Sequence, residues 1–509
     1  MQEEDTTMNT TRRIFTTASQ TAAVLLVAAS LAWSQAPPSA ATQQPSPGKT
    51  VRLNRAPVSK EVLRVKFPKP FKTTLDNGLR VLILEDHRLP LVSVQFNISG
   101  AGGLYEPAEL RGIATVTATL LREGTKTRTS RQISDEVDRL GASLLASSAF
   151  TSSATSLSAS GLSDNFDEWF SLAVDVLLNP TFPLDELNRY RERTKANLKI
   201  QRSQPGFLQA ERFSRAVYGN HPAAVVSMTA ESLDAMTPEL LAKWYRERLV
   251  PHNAILAIAG DVKPAEVVAK LKKWLGGWQK SELKEVLPPD PQPTTKEKIF
   301  LVDRPNSVQT NLVMGNIGVD RRSPDYVAMT VMHRVLGSDS TARLFMNLRE
   351  DKGYTYGAYS GFQALKYPGA WQAASQVRTE VTDGAMKEFF YELKRIRDEK
   401  VPEAELDECK RSIVAGFALS LESPAQLLNY AVISEIYGFP ADYWDKYPAN
   451  VLAITADDVQ RVAKKYINTD TMQIVAVGDA KQVKTVLEKY GPVEVYDTEG
   501  KPVVARSGN

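Results

Sequence analysis

A stretch in the middle of this chain is written again, without a gap, near its end. Residues 236–262 read MTPELLAKWYRERLVPHNAILAIAGDV and residues 454–480 read ITADDVQRVAKKYINTDTMQIVAVGDA. At a constant offset of 218, Thr237 answers Thr455, Leu249 answers Ile467, and Gly260-Asp261 answers Gly478-Asp479. Each copy reads as a helix with a threonine N-cap, a turn, and an apolar strand ending in Gly-Asp. A second helix follows each copy, at 264–275 and at 481–489. A chain that repeats a helix–strand–helix unit at this distance is two related α+β domains, since the period is far too long for a solenoid.

Earlier segments match more loosely. Val92, Val94, Phe96 and Ile98 alternate as a half-buried strand, answered by 311–318. Helices are expected at 112–122 and 326–336, and long amphipathic ones at 185–201 and 402–421. The first strand is read as 74–86 (TLDNGLRVLILED). This divides the chain into an amino-terminal domain at 70–286, a linker at 287–298 and a carboxy-terminal domain at 299–495, with a tail at 496–509. Each domain has about 220 residues and a mixed or antiparallel sheet with helices. Pro288, Pro289, Pro291 and Pro293 make the linker extended and exposed.

Ahead of these domains, Arg12-Arg13 precedes an uncharged run at 21–33 (TAAVLLVAASLAW), too short to span a bilayer. We read 1–36 as a signal peptide cleaved after Ser34 or Ala36, with twin-arginine features, and 37–69 as a flexible leader. The expectation is an exported, periplasmic protein with no stable membrane anchor after cleavage. The 62 basic and 59 acidic residues give a net charge of +3, which offers no electrostatic reason to expect nucleic acid as a partner. The single cysteine, Cys409, excludes an internal disulfide and a zinc site built on cysteines.

The segments 74–86, 218–262 and 336–360 (LGSDSTARLFMNLREDKGYTYGAYS) resemble the insulinase-like M16 metallopeptidases, in matching order over roughly 70–490. The resemblance implies two similar α+β domains that form half of a clamshell, and in the short branch of the family two such chains pair. Active members carry His-x-x-Glu-His on a helix of the first domain. Two imidazoles one turn apart chelate zinc, the glutamate is the general base, and a second glutamate on a later helix completes the ligands.

In this chain the corresponding positions are Thr115, Ala118 and Thr119, and Lys199 stands where the resemblance puts the later glutamate. Neutral hydroxyls are poor zinc ligands, and an ammonium repels a cation. The four histidines, His87, His221, His252 and His333, are scattered, and none has a histidine or cysteine at i+4. No metal or other cofactor is therefore expected in this chain.

The resemblance also implies an arginine and, seven residues on, a tyrosine in the second domain, which grip the substrate backbone and the oxyanion beside the partner's zinc. Arg349 and Tyr356 have that spacing. We expect 341–350 to be an amphipathic helix capped by Gly353 and followed by a strand at 354–359, which turns the chain back so that the two residues meet. Tyr354 and Tyr359 flank the pair, as binding wall or as core.

The resulting expectation is a non-catalytic, substrate-binding subunit of a heterodimeric M16 zinc endopeptidase. It would be silent alone and active with a related chain that carries His-x-x-Glu-His and zinc, acting on peptides or unfolded protein. The alternatives are a peptidase-like scaffold without any proteolytic role, and a self-sufficient peptidase with unorthodox ligands.

Overall fold

The computed structural model describes residues 65–281 and 283–503. The expected signal peptide and most of the leader lie outside them. Two six-stranded sheets organise the chain. The first contains β1 (Phe71–Thr74), β2 (Arg80–Glu85), β3 (Leu91–Ser99), β4 (Ser143–Ser148), β5 (Ala154–Leu162) and β6 (Ala254–Gly260), in the order β1-β2-β6-β3-β5-β4. The second contains β7 (Lys298–Asp303), β8 (Gln309–Ile317), β9 (Thr355–Ala364), β10 (Pro368–Arg378), β11 (Gln473–Gly478) and β12 (Val493–Tyr496), in the order β12-β7-β11-β8-β10-β9. Five strands of each sheet correspond one to one. The sixth enters from opposite ends of the repeat: β1 precedes β2 and pairs with it antiparallel, whereas β12 follows the last helix and pairs parallel with β7.

The expected strand at 74–86 is in fact a hairpin. Asn77-Gly78 closes a tight turn in which Gly78 donates to Leu75 O at 2.8 Å, with Gly78 at φ +86°. Asn-Gly is the dipeptide such turns favour, and it splits the apolar run into β1 and β2. The repeated strands β6 and β11 sit inside their sheets and are buried at every residue. This explains their unbroken apolar sequence, because both faces are covered.

The coverings are exchanged between the halves. Helix Pro424–Tyr437 belongs by sequence to the second half but lies on β2, β3 and β6 of the first sheet. There Leu427, Leu428 and Ala431 join a core with Leu82, Ile255 and Ala257. Helix Pro205–Tyr218, its counterpart in the first half, lies on β7, β8 and β11 of the second sheet. Phe213 and Val217 pack there against Phe300, Val313 and Val475. At Gly315 a Cβ would stand 2.9 Å from the Phe213 ring and 2.0 Å from Trp371 O, so the helix sits close to the sheet only because that side chain is missing. Each sheet thus has helices of its own half on one face and one helix of the other half on part of its second face. Among the described residues no helix is long and apolar enough to cross a membrane.

Candidate functional site

The segment that carries Arg349 departs from the expected helix. A short turn at Arg343–Phe345 runs into a π-helical turn at Met346–Asp351. Lys352 donates to Asn347 O at 3.0 Å, five residues back, and Tyr354 reaches Leu348 O at 2.9 Å. The turn therefore holds one residue more than an α-turn. Gly353, at φ +63°, closes it as expected. Anchors beneath fix its position: Leu344 and Leu348 are fully buried, Arg343 donates two hydrogen bonds to Glu405 at 2.7 and 2.8 Å, and Asn347 donates to Glu392 at 2.9 Å.

The strand that follows, β9, also holds an extra residue. Opposite it, Ser375 pairs with Ala358 and Val377 with Thr355, so three steps on β9 meet two on β10. The β-bulge falls at Tyr356-Gly357 and turns Tyr356 outward, leaving it 83% exposed. Two local insertions, one in a helix and one in a strand, bring the expected pair together. The guanidinium carbon of Arg349 lies 5.1 Å from the centre of the Tyr356 ring, and Arg349 Nη1 donates to Thr355 O at 3.3 Å. Tyr354 packs into the core, while Tyr359 is partly exposed with its ring 5.7 Å from that of Phe345. The pair presents hydrogen-bond donors to the outside and no base, so it can bind a carbonyl or an oxyanion but cannot activate water.

The first-half helix that stands where the resemblance puts the zinc motif, Ile113–Leu120, is occupied with structural bonds. The Glu106 carboxylate accepts from Gly112 N at 2.7 Å and Ala114 N at 2.9 Å, satisfying its N-terminus, and burial pushes Glu106 up to about 7. Thr115 Oγ1 donates to Ser148 O at 3.1 Å, Thr119 Oγ1 donates to Thr115 O at 2.9 Å, and Ala118 is buried. Arg122 Nη1 donates to Leu144 O at 2.8 Å. Thr115 and Arg122 together cover carbonyls on the outer side of β4, an edge strand. On helix Leu184–Arg202, Lys199 is exposed, whereas Leu198 packs toward the core and the buried Tyr190 phenol has the Thr119 and Thr194 hydroxyls beside it. Burial raises the Tyr190 phenol above its ordinary value.

The side chains facing one another here are hydroxyls and hydrocarbon, with no carboxylate or imidazole among them. The set does not fit zinc. Among the described residues no three His, Cys, Asp or Glu side chains gather as a metal site. His87 lies between Asp261 (2.6 Å) and Glu85 (2.8 Å), His252 Nε2 meets Leu283 O at 2.9 Å, and His221 Nδ1 accepts from Ala223 N at 3.2 Å. His333 Nδ1 meets Ser360 Oγ at 2.9 Å. The Cys409 thiol is pushed up to about 11 by burial.

Two similar sheet-and-helix domains make up the described chain, the two-domain α+β architecture that the resemblance implies. The family models agree: residues 80–229 match "Insulinase (Peptidase family M16)" and residues 235–413 match "Peptidase M16 inactive domain". The chain belongs to the M16 peptidase family. It is 24% identical to a zinc protease of Bacillus subtilis over 69% of this chain and 84% of that one. It is 27% identical to a zinc protease of Mycobacterium leprae over 72% and 82% of the two chains. A crystal structure of a peptidase M16 inactive domain from Pseudomonas fluorescens superposes with a TM-score of 0.75 at 26% identity, over 81% of this chain and 98% of that one.

Proposed function

We propose that this chain is the substrate-binding subunit of a two-chain M16 zinc endopeptidase and does no zinc chemistry itself. A related chain with His-x-x-Glu-His holds the zinc and its general base, while Arg349 and Tyr356 bind the peptide backbone and the oxyanion in trans. The observation that carries this reading is the Arg349–Tyr356 pair, with Tyr356 exposed and the half-buried Arg349 held 5.1 Å from its ring by two local insertions. The first-half helix supports it from the other side, since its hydroxyls are spent on Ser148 O and Thr115 O.

The test pairs the purified chain with an M16 chain carrying His-x-x-Glu-His from the same genome, with a quenched fluorogenic peptide as probe. The chain alone hydrolyses nothing. In the complex, Arg349→Ala or Tyr356→Phe lowers kcat by about 10²–10³, the size of losing one oxyanion donor. Unchanged turnover in both variants rejects the in-trans role and leaves a scaffold.

A further inference from the structure

A β-bulge removes backbone groups from the ladder, and buried ones must find other partners. At Tyr356-Gly357 those partners are two hydroxyls. Gly357 N donates to Thr355 Oγ1 at 3.0 Å, and Thr355 Oγ1 in turn donates to Gln376 O at 2.7 Å on the neighbouring strand. Ser375 Oγ donates to Gly357 O at 2.8 Å and stands 3.0 Å from Thr355 Oγ1. Both side chains are buried, Thr355 at 6% and Ser375 at 8% exposure, so water does not compete for these bonds. Gly357 has its N–H and its C=O both satisfied by side chains. Its missing Cβ also leaves room for the Tyr359 ring, which would stand 2.6 Å from that atom.

We infer that Thr355 and Ser375 are positioning residues for Tyr356: their hydroxyls fix the bulge that aims the phenol outward beside Arg349. The inference rests on the reading of Tyr356 as an oxyanion donor, and it names what sets that donor's direction. Neither residue touches substrate. In a regular ladder, successive side chains of β9 would point alternately to the two faces, and the extra residue breaks that alternation at Tyr356. Removing the Thr355 hydroxyl leaves the buried Gly357 N–H unpaired. Removing that of Ser375 leaves Gly357 O with only the Thr355 hydroxyl at 3.0 Å, whose single proton Gln376 O also draws, and either loss favours a different path for the bulge.

Two measurements test this. In the chain alone, carrying ¹³C only in tyrosine, the Tyr356 ring signals are assigned by their loss in Y356F. T355V and S375A shift and broaden these signals, whereas T355S and S375T, which keep the hydroxyls, leave them in place. In the complex with the zinc-bearing chain and the same fluorogenic peptide, T355V lowers kcat about 10- to 100-fold with little change in KM, the scale of displacing a reacting group by about 1 Å. T355S restores it, and T355V adds no further loss in a Y356F background. Unmoved Tyr356 signals in both T355V and S375A, or equal slowing by T355V in the parent and Y356F backgrounds, overturns the inference. Failure of the underlying reading is distinct: Y356F itself then turns over at the parental rate, and the ring signals alone decide whether the hydroxyls position Tyr356.

Discussion

Lys366 Nζ lies 2.7 and 2.8 Å from the two carboxylate oxygens of Glu285, and the pair joins the β9–β10 hairpin to the segment leading out of the first half. Tyr105 adds a hydrogen bond to the same carboxylate at 2.7 Å, and Tyr367, next in the hairpin, donates to Thr151 O at 3.0 Å. The strand that carries Tyr356, β9, is therefore anchored at its far end in the first half. The charges are mostly withdrawn from water, with 13% of the Lys366 and 20% of the Glu285 side chain exposed. Breaking such a pair from one side leaves an uncompensated charge, so Lys366→Met should cost about 3 kcal/mol, and K366M/E285M should recover most of it. Urea unfolding of the three proteins measures both numbers. Equal losses in the single and double variants would show that packing, not charge, holds the hairpin.

Acid should weaken the second half through His333. Burial, and then the neighbouring Arg334 cation, lower its pKa to about 4 from an ordinary 6.5, with Asp339 opposing weakly. The unfolded chain takes up a proton at pH values where the folded one does not. The stabilisation is therefore complete above about pH 6.5 and is lost as pH falls toward 4, to a total of roughly 3 kcal/mol. The urea midpoint should fall across this window, and His333→Gln should flatten the fall. An unchanged slope in that variant would assign the acid sensitivity elsewhere.

Thr115 gives the first-half helix a structural bond to the sheet. Its hydroxyl covers Ser148 O at the edge of the first sheet. Thr115→Val, nearly the same shape, should cost about 1 kcal/mol, and Thr115→Ser should be close to neutral. A thermal melt distinguishes them, and a valine variant as stable as the parent would make the bond incidental.

The duplication was legible because Gly260-Asp261 and Gly478-Asp479 end strands buried on both faces, where little sequence freedom remains. The Arg349–Tyr356 pair was singled out by the family resemblance, and a helix end followed by a strand allowed the two to meet, but the means were not legible. An extra residue in a helix turn and another in a strand leave the count of seven unchanged, and both depend on buried partners such as Asn347, Thr355 and Ser375 that sequence alone does not bring together. Lys199 shows a different limit. One residue is a 100° rotation on a helix, and here it separates an exposed lysine from the inward Leu198. Which sheet a helix covers was also hidden. An apolar stripe on 205–218 states that something is covered, without stating whose sheet lies beneath.

That exchange of helices makes a prediction about cooperativity. Phe213 comes from the first half, is 4% exposed, and fills the space over Gly315 in the second sheet. Phe213→Ala removes a buried ring at a close-packed contact and should cost about 3–5 kcal/mol. The loss does not stay in one half: helix 205–218 supports the second sheet while 424–437 supports the first, so neither sheet keeps its full cover when the other opens. Tryptophan fluorescence reports the halves separately in two backgrounds, one keeping only Trp371 and Trp444 of the second half and one keeping only Trp169, Trp244, Trp274 and Trp278 of the first, the other tryptophans being replaced by phenylalanine. In the parent and in F213A the signals should change at one urea concentration, lower in the variant. A variant whose second-half tryptophans unfold while the first-half ones remain buried would show that the two sheets are independent.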